Sequence, residues 1–145
     1  MTDWQYPVVA ASKALLKAIS GINKVGEYPE DLALNSGSIV VALVGDGDEE
    51  YTVKTGGQMD VDMALSIYLY VPKKKGYGIS KALEMQNDVV NAMLASLTLG
   101  GYVSNIKLTS VRKGEIANDP NNAGYSEQVY CREIVFTVMK IVSRT

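Results

Sequence analysis

The sequence predicts an α+β protein: two helices packed on one mainly antiparallel sheet of four strands, or slightly more. Three observations carry this reading. Residues 59–71 alternate apolar and polar without a break, the pattern of a strand that buries one face. Two other segments, 5–20 and 80–99, repeat apolar residues at three- and four-residue spacing, as helices do. The β-rich runs follow one another as hairpins rather than as βαβ units. The order read along the chain is α-β-β-α-β-β.

The first helix is expected over 5–20. Pro7 suits a first turn, where its missing N–H costs nothing. Val8, Ala11, Leu15, Ala18, Ile19 and Ile22 trace one stripe, and Gly21, Gly26 and Pro29 provide the stop. Trp4 stands just before the helix, as a core or edge aromatic. Residues 26–37 read as a loop. The β-branched run 39–44 has the character of a buried strand. Residues 45–50, GDGDEE, read as a solvated acidic turn; as a calcium loop they lack the later ligands of an EF-hand, including its closing glutamate. Residues 51–54 have room for a short extra strand before a turn at Gly56-Gly57.

In the strand 59–71 the odd positions are Met, Val, Met, Leu, Ile, Leu and Val. At ~3.3 Å per residue it spans about 40 Å, long enough for part of it to project as an arm of a hairpin. Pro72 ends it, and Lys73, Lys74 and Lys75 open a basic loop. Ser80 is the expected N-cap of the second helix. Leu83, Asn87, Val90, Leu94 and Leu97 mark its apolar face, with Met93 beside it, and Gly100-Gly101 its stop. Residues 103–116 and 125–143 read as a closing hairpin around the turn 117–124. A change of phase between Leu108 and Val111 predicts a bulge near Thr109-Ser110. The centre of the last strand, 134–139, is apolar at nearly every residue. It is expected in the middle of the sheet, covered on both faces or with one face against another subunit.

Composition limits the chemistry. A chain of 145 residues fits one domain, here 1–145, whose core needs no disulfide or metal. With 14 basic and 16 acidic residues, a formal charge of -2 does not suit a strongly basic nucleic-acid binder. There is no histidine and one cysteine, Cys131. Histidine-dependent triads, histidine metal sites and internal disulfides are therefore excluded, and neither a cofactor nor a metal is expected. The first twenty residues lack the layout of a signal peptide, and no apolar run approaches a membrane span. The expectation is a soluble protein that is not exported and not an enzyme.

Some residues stand out as candidates. Gly76 to Lys81 resembles a phosphate loop only superficially, because the full glycine spacing and the Lys-Ser/Thr pair are missing. Lys73, Lys74 and Lys75 could contact phosphates, with Tyr77 stacking on a base; the plainer reading is a solvated loop at a strand end. Asp60 and Asp62 share one strand face, as a solvated or intersubunit charged surface rather than an acid–base pair. Tyr68 and Tyr70 lie on the same face. Either they belong to an interface, or a helix covers that end of the sheet.

Taken together, these elements resemble the tail terminator family of long-tailed bacteriophages, also called minor tail or tail-completion proteins. The resemblance rests on an opening helix with an aromatic-Pro start, the long strand 59–71, the Val71-Pro72-Lys73-Lys74 transition, a Ser80-capped helix and two closing strands. It implies an antiparallel sheet with two helices. It implies six copies in a ring on the head-proximal end of the tail tube, ending tube growth and offering a docking surface to the filled head. The implied partners are further copies of the chain, the tail tube protein and a head-closure or connector protein. DNA would pass through the lumen without specific binding, and no membrane is involved. Assembly would occur in the bacterial cytoplasm, and the product would reside in the virion. The loops 45–57 and 112–125 would meet a neighbour or the tube.

A head-to-tail ring needs two different patches on one subunit. The Tyr68/Tyr70 face is one candidate. The surplus apolar side chains of the last strand, Val129, Cys131 and Val135, are the other. The alternatives are a head-closure or neck ring, and a small cytoplasmic domain that binds a ligand or nucleic acid.

Overall fold

The computed structural model describes residues 4–26, 39–45, 47–73, 78–96, 98–99, 101–113 and 129–143. The order is α1 (Gln5–Lys17), β1 (Lys24–Gly26), β2 (Val40–Val44), β3 (Glu49–Val53), β4 (Gln58–Pro72), α2 (Ile79–Leu94), β5 (Asn105–Lys113) and β6 (Val129–Ser143). The α+β class and the two helices are as read from the sequence. The strand order differs in detail: β3 is the short extra strand that 51–54 left room for, β1 is an addition, and α-β-β-α-β-β becomes α-β-β-β-β-α-β-β. The sheet is mixed, because β1 runs parallel to β2 while the other pairings are antiparallel.

β1 escapes periodicity because three residues are too few to display it. A side chain holds it in place instead. The Asn23 N–H donates to the Ile39 carbonyl at 2.8 Å, and Asn23 Oδ1 accepts from the Ile39 N–H at 2.9 Å. That clamp sets β1 beside β2. β3 includes Glu49 and Glu50, the last two of the six residues that the sequence presents as an acidic turn.

β4 and β6 form the spine. They pair without a shift from Gln58↔Ser143 to Pro72↔Val129. β2 and β3 share the opposite side of β4, end to end: β2 lies against residues 66–70 and β3 against 59–63. Gly47 lies at the step between them, where the Asp48 carbonyl accepts from the Ala64 N–H at 3.0 Å. A Cβ on Gly47 would run into the Ala64 carbonyl oxygen, so the close approach requires glycine there. β5 pairs the outer side of β6, with the expected bulge between Leu108 and Ser110. β3 and β4 meet through a turn at Thr55–Gly57, where Gly56 and Gly57 take φ of +77° and +78°, values glycine adopts without strain.

Both helices lie on one face of the sheet. Val61, Met63, Leu65, Ile67, Leu69 and Val71 of β4 join Ile134, Phe136 and Val138 of β6 beneath them. Trp4 is buried in the same core at the start of α1.

The helix faces need correction. In α1 the buried line is Val8, Ser12 and Leu16; Ala18 is exposed, and Leu15 and Ile19 are only partly buried. Ser12 tolerates burial because its Oγ donates to the Val8 carbonyl at 2.8 Å. In α2 the buried line is Ala82, Met85, Val89 and Met93, while Leu83 and Asn87 of the expected stripe face solvent. The flexible thioethers of Met85 and Met93 adapt readily to the packing above the sheet. Gly78, not Ser80, is the N-cap, and the helix ends at Leu94 rather than near Leu99. Leu99 is buried in a turn at φ +48°.

Within the described residues the final strand runs over Val129–Ser143, and it lies between β4 and β5 as expected. Among the described residues, helices cover one of its faces, and Val135, Thr137 and Met139 on the other are half-buried. The turn 117–124, residues 114–116 and 125–128, and most of the loop 26–37 lie outside the described residues.

Two stability measurements follow. In urea unfolding, Met85→Ala should cost about 2–5 kcal/mol and Leu83→Ala no more than about 0.5 kcal/mol, the reverse of the ranking that the sequence stripe implies. Gly47→Ala should cost roughly 1–3 kcal/mol, because the Ala64 carbonyl cannot yield without moving β4.

Candidate functional site

Residues directly opposite one another in paired strands share a face. The face away from the helices therefore carries the even positions of β4 and the odd positions of β6. Asp60 stands opposite Ile141, Asp62 opposite Met139, Ala64 opposite Thr137, Ser66 opposite Val135, Tyr68 opposite Glu133 and Tyr70 opposite Cys131. Asn105, Lys107 and Arg112 of β5 extend this face on one side, and Glu50 and Thr52 of β3 on the other.

The surface changes character along its length. At one end Val40, Ala42, Tyr70 and Cys131 form a small buried cluster of their own, with Tyr68 packed against it. In the middle, Thr109 and Thr137 share a hydroxyl–hydroxyl bond of 2.6 Å, and Arg112 donates to Glu133 at 2.9 Å. Asp62, Asn105, Lys107, Thr137 and Met139 line a shallow depression of about 190 Å³. That is below the roughly 300–1,000 Å³ of ordinary small-molecule sites. At the far end Lys54 pairs with Asp60 Oδ2 at 2.8 Å. Asp60 Oδ1 is buried with no hydrogen-bond partner among the described residues. Ile141 beside it is exposed.

The residues singled out in the sequence separate into groups. Asp60, Asp62, Tyr68, Tyr70 and Cys131 do share one face. Tyr70 and Cys131 are buried, at 1% and 6% exposure, so neither offers a free contact surface. Neither α1 nor α2 covers the two tyrosines: both pack against the odd positions of β4. Tyr68 remains half-buried. Val129 pairs with Pro72 at the start of β6. Lys73 lies with its Nζ 4.9 Å from the Tyr130 ring centroid, a cation–π placement, and Tyr130 packs against the helix-side core. Lys74, Lys75 and Tyr77 lie outside the described residues, as does Asp46 of the acidic turn. Among the described residues, no three acidic or cysteine side chains converge to hold a metal. No described helix is long and apolar enough to cross a membrane.

Arg132 is the residue sequence reasoning passed over. It pairs with Leu69 on the core-facing side of β6 and is 9% exposed. Its Nη1 donates to the Cys131 carbonyl at 3.0 Å. A charge in phase with the inward residues Ile134, Phe136 and Val138 was the available signal.

Burial pushes the Tyr68 phenol above its ordinary value; the Glu133 carboxylate adds to the shift and the Arg112 guanidinium opposes it. Tyr51 is also raised, chiefly by the hydrogen bond it donates to Glu49.

No protein-family model matches this sequence, and no curated protein matches it either.

The Tyr68 shift has a definite sign. The folded state holds the phenolic proton more tightly than the unfolded chain, whose tyrosines titrate near 10.0. Tyr68 therefore contributes its full share of stability below that pH and loses it as pH rises through the folded-state value. Tyr68→Phe, which cannot ionise, should flatten the fall in unfolding free energy on the alkaline side. An unchanged alkaline slope in denaturant titrations would remove Tyr68 from this role.

Proposed function

We propose that this chain is a structural, non-enzymatic assembly protein. In this reading it closes into a ring on the tail tube of a long-tailed phage or prophage, ends tube growth and presents the surface onto which the head docks. One observation carries the reading. Opposite the helices the sheet offers a broad face of mixed apolar and charged side chains, with a depression too small for an ordinary ligand. Such a face suits contact with protein better than chemistry on a small molecule. The long β4–β6 spine, the hairpin of β3 and β4 and the two helices on one side support the likeness to tail terminators noted from the sequence. DNA would pass through the lumen without specific contacts. The partners are further copies of the chain, the tube protein and a head-closure or connector protein, assembled in the bacterial cytoplasm and retained at the head-proximal end of the tail.

Native mass spectrometry and negative-stain imaging over a concentration series test this directly. The expected result is a closed ring, of six copies by the family likeness, or arrested growth when the protein is added to polymerising tail tubes. Recovery with filled heads rather than with tails would move the assignment to a head-closure ring. A stable dimer around a shared cleft, with no effect on tubes, would overturn the ring.

A further inference from the structure

A sheet with unpaired edges presents rows of backbone donors and acceptors that another strand can satisfy. Among the described residues, the backbone of β3 pairs only with β4 and that of β5 only with β6. All five residues of β3 are exposed, as are Asn105, Lys107, Leu108, Thr109, Ser110 and Arg112 of β5. We propose that the outer edge of β3 in one copy pairs with the outer edge of β5 in a second copy, joining subunits head to tail through one continuous sheet. The proposal rests on the ring reading above and names the contact that would build it.

Three features of the two edges agree. The first is direction. β3, β4, β6 and β5 alternate in sense, each antiparallel to the next. A rotation about an axis along the strands therefore sets β5 of one copy antiparallel to β3 of the next, and keeps the helices of both on one side. The second is apolar surface. On the helix side, β3 exposes Tyr51 and Val53, at 45% and 61%, and β5 exposes Leu108, at 39%. Side by side, these would cover one another.

The third feature is charge. On the opposite side β3 presents Glu50, with Asp60 and Asp62 on the next strand, and β5 presents Lys107. Pairing β3 with β3 would bring glutamates together, and pairing β5 with β5 would bring lysines and arginines together. Like charges across strands are unfavourable, so the charge pattern rejects both symmetric pairings and selects the mixed one. Neighbouring strands lie about 4.8 Å apart. A lysine on the strand beyond β3 can therefore extend toward Asp60, whose buried Oδ1 lacks a partner among the described residues.

The test combines cross-linking with charge exchange in the full chain. In a Cys131→Ser background, Tyr51→Cys and Leu108→Cys proteins are mixed under mild oxidation. The mixed disulfide should exceed either self-disulfide several-fold. Separately, with Cys131 intact, Glu50→Lys and Lys107→Glu should each lower the assembled fraction seen by native mass spectrometry, and the double variant should restore it. Equal yields of the three disulfides, no cross-linking, or single variants that assemble as the parent does would each overturn the edge pairing. Rings that persist through both single charge variants would overturn it while leaving the ring reading intact. Selective mixed cross-links without closed rings would keep the edge pairing and end the ring reading.

Discussion

The unshifted pairing of β4 with β6 is the constraint on which the other elements depend. Its fifteen consecutive partners run from Gln58↔Ser143 to Pro72↔Val129, and side chains alternate with a period of two. A slip of one residue would carry Asp60 and Asp62 toward the core and Leu65 and Leu69 away from it, so the register is strongly held. With that register set, β2 and β3 have one free side of β4 to occupy and β5 has one free side of β6. The helices then settle on the face where the apolar side chains stand.

The asymmetry between the two faces follows from the same pairing. Beneath the helices the core is nearly all hydrocarbon and thioether. The exceptions are polar groups with local partners: Ser12 bonded within its own helix and Arg132 on the neighbouring carbonyl. Burying such groups is tolerable only with that compensation. The opposite face has a small apolar cluster at one end and a lattice of polar contacts beyond it, including Thr109 with Thr137 and Arg112 with Glu133. Cross-strand pairs of this kind each contribute roughly 0.2–1 kcal/mol. They add to the cohesion of the sheet on this face.

A chemically mixed face bordered by the acidic β3 and the basic β5 is what the proposed association would use. Two dissimilar surfaces on one subunit generate closed rings or open filaments, according to the rotation that relates the copies. The glycines fit that arrangement. Gly47 lets β2 and β3 follow β4 as two short strands, and Gly56 and Gly57 turn the chain so that β3 ends as an exposed edge. The acidic residues of β3 then lie at one margin of the sheet, and the basic residues of β5 at the other.

The amino-acid sequence by itself determined the elements whose pattern is local. The alternation over 59–71 located β4 to within a residue at each end, and the phase change after Leu108 located the bulge in β5. Two helices and an α+β class followed from spacing alone. The tertiary structure decided the rest, because those features depend on partners far away in the chain. β1 exists because Asn23 clamps the backbone of Ile39. The buried line of α2 runs through Met85 and Met93 rather than Leu83, since the sheet's contour, not average hydrophobicity, chooses which side chains fit. Tyr68 and Tyr70 share a face in any strand, but only the tertiary structure put α1 and α2 on the other face and left Tyr68 half-buried while burying Tyr70. Likewise, no local pattern reveals that β3 and β5 stand at opposite margins of one sheet, because strand order depends on pairing between distant segments.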